Sequence, residues 1–322
     1  MVHTGSAFFP ITISTIVRSI IILPTLRAIA FAAQAVAPGW LARTAARRFI
    51  TPPQHAHTIS ELLALKKAHH RQIESPMGRL AVWQFGERWR PAVVFSHGWG
   101  GRGAQFREFV PALVDAGFQV WLFDHIGHGL SEGREAPITD IAKGITSIVK
   151  AAEDEGISVA GLIGHSLGAA GIGIALGNEP RKHQHVRVVQ IAPPGSLIRY
   201  SRIFARRLGL PERVRAAIQW RIEQKIGRSW QEFELPGAVA QLKSKTLVIH
   251  DEKDKEVSIE DGLAVARAWP DARFKRTEGL GHQKILRDQL VVAAAVDFLA
   301  DRVAFSLPPP EVSAPSWPAP LY

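Results

Sequence analysis

Residues 157–171 read ISVAGLIGHSLGAAG. A short apolar run bounded by turn residues has the pattern of a buried strand, and the small residues after it read as the start of a helix. The pentapeptide Gly164-His165-Ser166-Leu167-Gly168 falls at the junction. Alone, Gly-x-Ser-x-Gly is weak: at about 7% usage of each residue type, chance supplies roughly 0.1 copies in a chain of this length. At a strand-to-helix turn it weighs more, because such a turn strains the serine and presents its hydroxyl. Glycines flank it because a Cβ there would collide with the adjoining strand and helix. The helix N-terminus adds backbone N–H groups and a positive dipole end where negative charge develops. Ser166 is the candidate nucleophile.

Working outward, the pattern repeats. Arg79–Gly86, Pro91–Ser96, Phe118–Phe123, Val186–Ile191, Thr246–His250 and Ala272–Arg276 read as strands, and residues 104–116, 138–154, 167–177, 258–268 and 286–301 as helices. Alternating apolar strands and helices predict an α/β fold, a mostly parallel, doubly wound sheet covered on both faces. Residues 196–235 interrupt the rhythm with a basic, apolar, Trp-containing helical stretch, read as a helical cap insertion. The predicted organisation is an apolar, basic N-terminal arm over 1–55, a core over 56–195 and 236–303, the cap over 196–235, and a Pro-rich disordered tail over 304–322.

In an open parallel sheet, ligands bind beyond the carboxyl ends of the strands. After the strand ending at Ser96 comes His97-Gly98-Trp99-Gly100-Gly101-Arg102-Gly103. Acyl transfer develops an oxyanion that needs preorganised donors, and we assign these to the Trp99 and Leu167 backbone amides. A phosphate-binding loop would end in lysine, which is absent. A serine hydroxyl needs a base, and the base an orienting carboxylate. Asp251, Glu252, Asp254 and Glu256 follow one strand, and His282 lies in a glycine-flanked loop after the next. Serine, then acid, then histidine is the chain order that accompanies such a serine turn. His97, His125, His128 and His165 border the site as hydrogen-bonded loop residues rather than catalysts. His97, Gly98 and His165, together with Phe204 and Trp220 of the cap, are the expected substrate-binding residues. No metal ligands are expected; His183 and His185 precede a strand without a neighbouring acid in sequence.

These residues carry a family resemblance. Residues 70–302, roughly 70% of the chain, resemble the α/β-hydrolase superfamily, especially bacterial serine esterases of the lysophospholipase and carboxylesterase group. The matching motifs, in the family's order, are HGWGG at 97–101, DHIGHGLS at 124–131, GHSLG at 164–168, Asp254 through Val257, and Gly281-His282. The resemblance implies the α/β-hydrolase fold, with Ser166 as nucleophile, Asp254 as acid and His282 as base. It favours Asp254 over Asp251 because the family places its acid three residues before a small apolar residue, here Val257. The implied activity is hydrolysis of a carboxylic ester, with lipid-derived esters within reach and no cofactor. A thioesterase or carbon–carbon bond hydrolase would use the same triad, and a non-catalytic ligand-binding member of the fold is the alternative from a different class. Related dehalogenases and epoxide hydrolases use aspartate where Ser166 stands.

Composition bounds the rest. The chain has no cysteine, which excludes disulfides and thiolate chemistry. Its net charge is +10, of which residues 1–60 contribute +5 with no acid and residues 199–228 contribute +7; the remainder sums to −2. Neither basic segment resembles a nucleic-acid-binding motif, and basic residues among apolar ones suit an anionic lipid surface. Three uses fit the apolar stretch 7–37: an interfacial arm, packing onto the body, or a signal or spanning segment, the last weakened by Arg18 and Arg27. The expected partner is a small-molecule or lipid ester, with no nucleic acid and with peripheral membrane contact through residues 7–50 and the basic cap. The expected location is cytoplasmic, associated with membrane.

Overall fold

The computed structural model describes residues 23–300. The outer part of the N-terminal arm and the proline tail fall outside the described residues. Among the described residues eight strands form one sheet: β1 (His69–Ile73), β2 (Leu80–Phe85), β3 (Ala92–Ser96), β4 (Gln119–Phe123), β5 (Val159–His165), β6 (Arg187–Ile191), β7 (Thr246–Asp251) and β8 (Ala272–Thr277). Their order is β1-β2-β4-β3-β5-β6-β7-β8. β1 and β2, and β2 and β4, pair antiparallel; every later junction is parallel.

Successive side chains of a strand point to opposite faces, so each buried strand feeds two cores. Val94, Leu162, Val188 and Val248 enter one, while Val93, Phe95, Ile163, Val189, Leu247 and Ile249 enter the other. The first core is roofed by α5 (Ile138–Asp154) and α6 (Leu167–Asn178), the second by α4 (Val110–Asp115), its preceding 3₁₀ turn and α12 (Gln289–Leu299). Burial on both faces is why these strands read as continuous apolar runs.

The seven expected strands are present, within about two residues of the expected ends. The eighth, β1, has the sequence HHRQI and buries only Ile73. As an edge strand with one outward face it has no apolar run, and it is held by its ladder to β2 and by His70 stacked on Trp83 at 5.0 Å. The expected helix over 104–116 is a 3₁₀ turn (Gly103–Phe109) followed by α4, because Pro111 sits where a continuous helix would need its N–H.

Between β6 and β7 the chain forms α7 (Leu197–Arg207), α8 (Glu212–Ile226), a 3₁₀ turn at Trp230–Phe233 and α9 (Leu235–Val239). Three described helices precede the sheet, α1 (Leu23–Val36), α2 (Pro38–Ile50) and the short α3 (Ile59–Leu65). Pro38 opens α2, where its missing N–H costs nothing. The helix buries Leu41, Ala42, Ala45, Ala46 and Ile50 at helical spacing, and its small residues let it lie close against α8, whose Val214, Ile218 and Ile222 are buried. Phe49 at its end packs between Phe204 (5.1 Å, edge-on) and Trp230 (5.4 Å, stacked). The 38–50 part of the arm therefore packs onto the body, with Arg43, Arg47 and Arg48 outside. No helix among the described residues is long and apolar enough to cross a membrane.

Two substitutions on α8 separate packing from exposure. Ile218 is 1% exposed and Trp220 57% exposed. Ile218→Ala is expected to lower the unfolding free energy by about 2–4 kcal/mol, and Trp220→Ala by less than about 0.5 kcal/mol, both read from urea unfolding curves.

Candidate active site

Ser166 begins α6 with φ 53° and ψ −126°. A non-glycine residue in this region stores on the order of 1–3 kcal/mol, so the surroundings must impose the turn. The Ser166 N–H donates to the Ile191 carbonyl at 2.9 Å, tying the turn to β6. A Cβ on Gly164 would lie 2.5 Å from Ala169 Cα, and one on Gly168 2.2 Å from the Ser96 carbonyl oxygen. Those glycines let the strand, the turn and the helix approach more closely than any side chain allows.

Beyond β7, His282 Nδ1 lies 2.7 Å from Asp254 Oδ2, with the Asp254 side chain fully buried. Asp254 Oδ1 also accepts the N–H groups of Glu256 (2.8 Å) and Val257 (3.0 Å). Burial opposes its ionisation, but the imidazoles of His250 and His282 and the Val257 N–H outweigh that and hold the carboxyl well below its usual range. His250 donates to the Val257 carbonyl at 3.1 Å and lies 3.6 Å from Asp254 Oδ2. Asp251, the other strand-end aspartate, is engaged differently. It accepts from Lys253 N (3.0 Å), Thr277 Oγ1 (2.9 Å) and Leu280 N (3.0 Å), so it ties the loop that carries His282 to the end of β7.

Ser166 and the His282 loop meet through His165, whose ring lies 4.6 Å from that of His282 and whose Nε2–H donates to the His282 carbonyl at 2.9 Å. An imidazole whose Nδ1–H is held by a carboxylate keeps Nε2 as a proton acceptor. The Gly98 backbone closes the other side: a Cβ there would lie 3.0 Å from Ser166 Cβ. Among the described residues the Trp99 and Leu167 N–H groups have no acceptor, which for Leu167 follows from its place in the first turn of α6.

The histidines flanking these loops are buried and engaged with the protein. His97 donates through Nδ1 to the Gly98 carbonyl (2.8 Å) and accepts the His125 N–H at Nε2 (3.0 Å). Ser96 Oγ joins His125 Nε2 to the Gly168 carbonyl. His128 Nε2 accepts the Gly100 N–H at 3.1 Å, while its Nδ1–H donates to Ile126. Burial pushes His128 down to about 4 and His165 down to about 3, and holds His97 and His125 well below the ordinary imidazole value. Burial thus favours the neutral ring in all four, and in His97 and His128 the N–H accepted at Nε2 requires it.

Ser166, Asp254, His282, Trp99, Leu167, Gly98, His97 and His165 thus come from four strand-end loops and converge. Phe204 and Trp220 do not join them. Phe204 packs on Phe49, and Trp220 faces outward with the Arg221 guanidinium 5.9 Å from its ring. Apolar spacing on a helix marks a face but not its partner, and here the partner is α2. What borders Asp254 instead is a recess of about 240 Å³ whose walls include Arg199, Tyr200, Ile203, Lys255 and Glu256. Sequence reasoning also misses the Glu61–Arg102 ion pair (2.7 Å) beside the Gly-rich loop. Its one local signal is Thr58-Ile-Ser-Glu61, a capping box at the start of α3 (Ile59–Leu65).

Strand order, the serine turn and loop positions together decide the class. The chain has the α/β-hydrolase fold. Residues 87–233 match the family described as serine aminopeptidase, S33. An esterase from Pyrococcus furiosus superposes with a TM-score of 0.60 over 78% of this chain and 98% of that one, at 18% identity. By sequence, the chain is similar to epoxide hydrolase A of Mycobacterium tuberculosis, 32% identical over 123 residues, which are 38% of this chain and 37% of that protein. It is also similar to a monoglyceride lipase homolog of Monkeypox virus, 35% identical over 92 residues, 25% of this chain and 33% of that protein. The chain spans about a third of the length of the curated relatives it matches.

Asp124 gives this α/β-hydrolase fold a pH-dependent element. Its carboxylate accepts from Gly103 N (2.8 Å) and Leu130 N (2.9 Å), joining the loops after β3 and β4. Burial pushes it up to about 6 against those two hydrogen bonds. The folded protein holds a proton there that the unfolded chain releases at lower pH, so this group's contribution is greatest below about pH 4 and declines as pH rises to about 6. A displacement of that size is worth at most about 3 kcal/mol. Urea unfolding at pH 4.5 and 7 is expected to show the parent losing stability relative to Asp124→Asn as pH rises; an unchanged difference would mean an ordinary carboxyl.

Proposed function

We propose that this protein is a serine hydrolase that cleaves carboxylic esters through an acyl-enzyme on Ser166. The observation that carries the reading is the buried 2.7 Å contact between His282 and Asp254, beside a serine held at positive φ. Ser166 Oγ attacks the ester carbonyl while His282 Nε2 takes its proton. Asp254 fixes the tautomer and stabilises the imidazolium. The oxyanion is met by the N–H groups of Trp99 and Leu167. His282 returns the proton to the departing alcohol, and water repeats the sequence on the acyl-enzyme. One relative is named an epoxide hydrolase; a serine at the turn favours acyl transfer here. The name of the monoglyceride lipase homolog supports lipid-derived esters as the substrate class.

Ser166→Ala is expected to reduce turnover of short activated esters by about 10⁶-fold and His282→Ala by a similar amount, while Asp254→Asn loses roughly 10⁴-fold. Asp251→Asn should act mainly on stability, through the His282 loop. Steady-state kinetics with circular dichroism tests the set: activity surviving Ser166→Ala above a few per cent would sink the reading, and the reverse ranking of the two aspartates would move the acid to Asp251.

The arm and cap are proposed to rest on anionic membrane. Phe31, Val36 and Trp40 are 74%, 86% and 50% exposed on a segment without acidic residues, and Arg27 reaches the Arg207 carbonyl at the end of α7, so the two basic segments adjoin. Full-length protein is expected to co-sediment with phosphatidylserine vesicles at low salt and to dissociate as salt rises. Indifference to vesicles at low salt would end the membrane proposal.

A further inference from the structure

The Gly-rich loop after β3 contains glycine at 98, 100, 101 and 103. Such a backbone has more freedom to lose than any other, yet an oxyanion donor acts only if it is already in place. Within the loop itself one backbone bond is present, Gly101 N–H to the Gly98 carbonyl. Side chains hold it at three further points, His97 at the Gly98 carbonyl, His128 at the Gly100 N–H and Asp124 at the Gly103 N–H. Another set of contacts arrives from residues 51–61, which precede the sheet.

Four contacts make this brace. The Ala136 N–H donates to the Ile50 carbonyl at 2.7 Å and anchors its start. Pro53 then lies against Gly100 so closely that a Cβ there would meet Pro53 Cγ at 2.8 Å. Gln54 Nε2 donates to the Gly127 carbonyl at 2.5 Å, one residue before His128, whose ring accepts the Gly100 N–H. Finally Glu61 Oε2 accepts from Arg102 Nε (2.8 Å) and Nη2 (2.7 Å), with the Glu61 side chain 3% and the Arg102 side chain 10% exposed. Glu61 is itself held by its capping box with Thr58. Trp99 immediately precedes Gly100, the residue that Pro53 lies against, and Glu61 grips the same loop three residues further on at Arg102.

We infer that residues 51–61 are a brace that sets the Trp99 N–H, with Gln54 and Glu61 as positioning residues for hydrolysis. The inference rests on the proposed oxyanion role of that N–H. It predicts a loss in kcat rather than in KM, since the oxyanion exists only beyond the ground state. Misplacement of a reacting group by about 1 Å can cost up to about 10²-fold.

The test uses the full chain. Gln54 is exposed, so its variants do not threaten the fold: Gln54→Glu keeps the size and removes the donor, and Gln54→Lys keeps a donor. Glu61→Gln removes the charge at the other grip. The readouts are kcat and KM for a short activated ester, and hydrogen–deuterium exchange of the 98–103 backbone. Gln54→Glu and Glu61→Gln are expected to lower kcat about tenfold or more, leave KM within about twofold, and speed exchange at 98–103. Gln54→Lys should retain kcat within about twofold of the parent. Unchanged exchange at 98–103, or equal loss in Gln54→Glu and Gln54→Lys, would overturn the brace. Ser166→Ala reports separately on the hydrolase reading, and the exchange measurement decides the brace whatever that variant shows.

Discussion

A serine at φ 53° depends on everything packed around it. Left alone, the Ser166 backbone would relax toward negative φ, gaining on the order of 1–3 kcal/mol. It cannot, because three neighbours act at once. β6 captures its N–H, the end of β3 abuts the first turn of α6 at Gly168, and Gly164 admits Ala169 against the strand. The strain thus resides in a turn over-determined by central parallel strands, the part of the sheet buried on both faces. Other features of the site are placed relative to this one fixed point.

The electrostatic arrangement follows from burial. Most imidazoles near the turn are driven neutral by desolvation and serve as hydrogen-bond connectors between loops. Asp254 is the exception in kind, a buried carboxylate kept ionised by imidazole and backbone donors. A negative charge beside His282 and uncharged rings elsewhere leave the imidazolium that would form in hydrolysis with one compensating partner and no nearby buried cation among these histidines. His165 belongs to both halves of the arrangement, since it ends β5 beside Ser166 and holds the His282 carbonyl.

The basic segments gain a second use in the folded molecule. α2 spends its alanine-rich side on α8 and leaves its arginines outward, so an arm that reads as a surface-seeking segment is also a piece of the core. Phe49 fills the space between Phe204 and Trp230, so those two aromatic residues of the 196–235 stretch are engaged with packing, while Trp220 faces outward. The chain leading from α2 to the sheet then passes directly over the Gly-rich loop. Packing of the arm and order of that loop are in this way mechanically continuous.

Taken by itself, the sequence determined what local pattern can encode. Apolar runs of strand length alternating with helical stretches specify a parallel α/β sheet, because each element must bury its own face. A glycine-flanked serine at a strand–helix junction marks the turn, and acids and a histidine after later strands mark which loops matter. Polar β1 stayed illegible because an edge strand needs no apolar run. The family resemblance already favoured Asp254 over Asp251 through its spacing to Val257, but the contacts themselves, Asp254 facing His282 and Asp251 holding the loop that carries it, belong to the tertiary structure. That structure also decided that Phe204 meets Phe49, and that Glu61 and Gln54 reach the loops around Ser166. Such contacts join residues distant in the chain, and a single sequence carries no periodicity that records them.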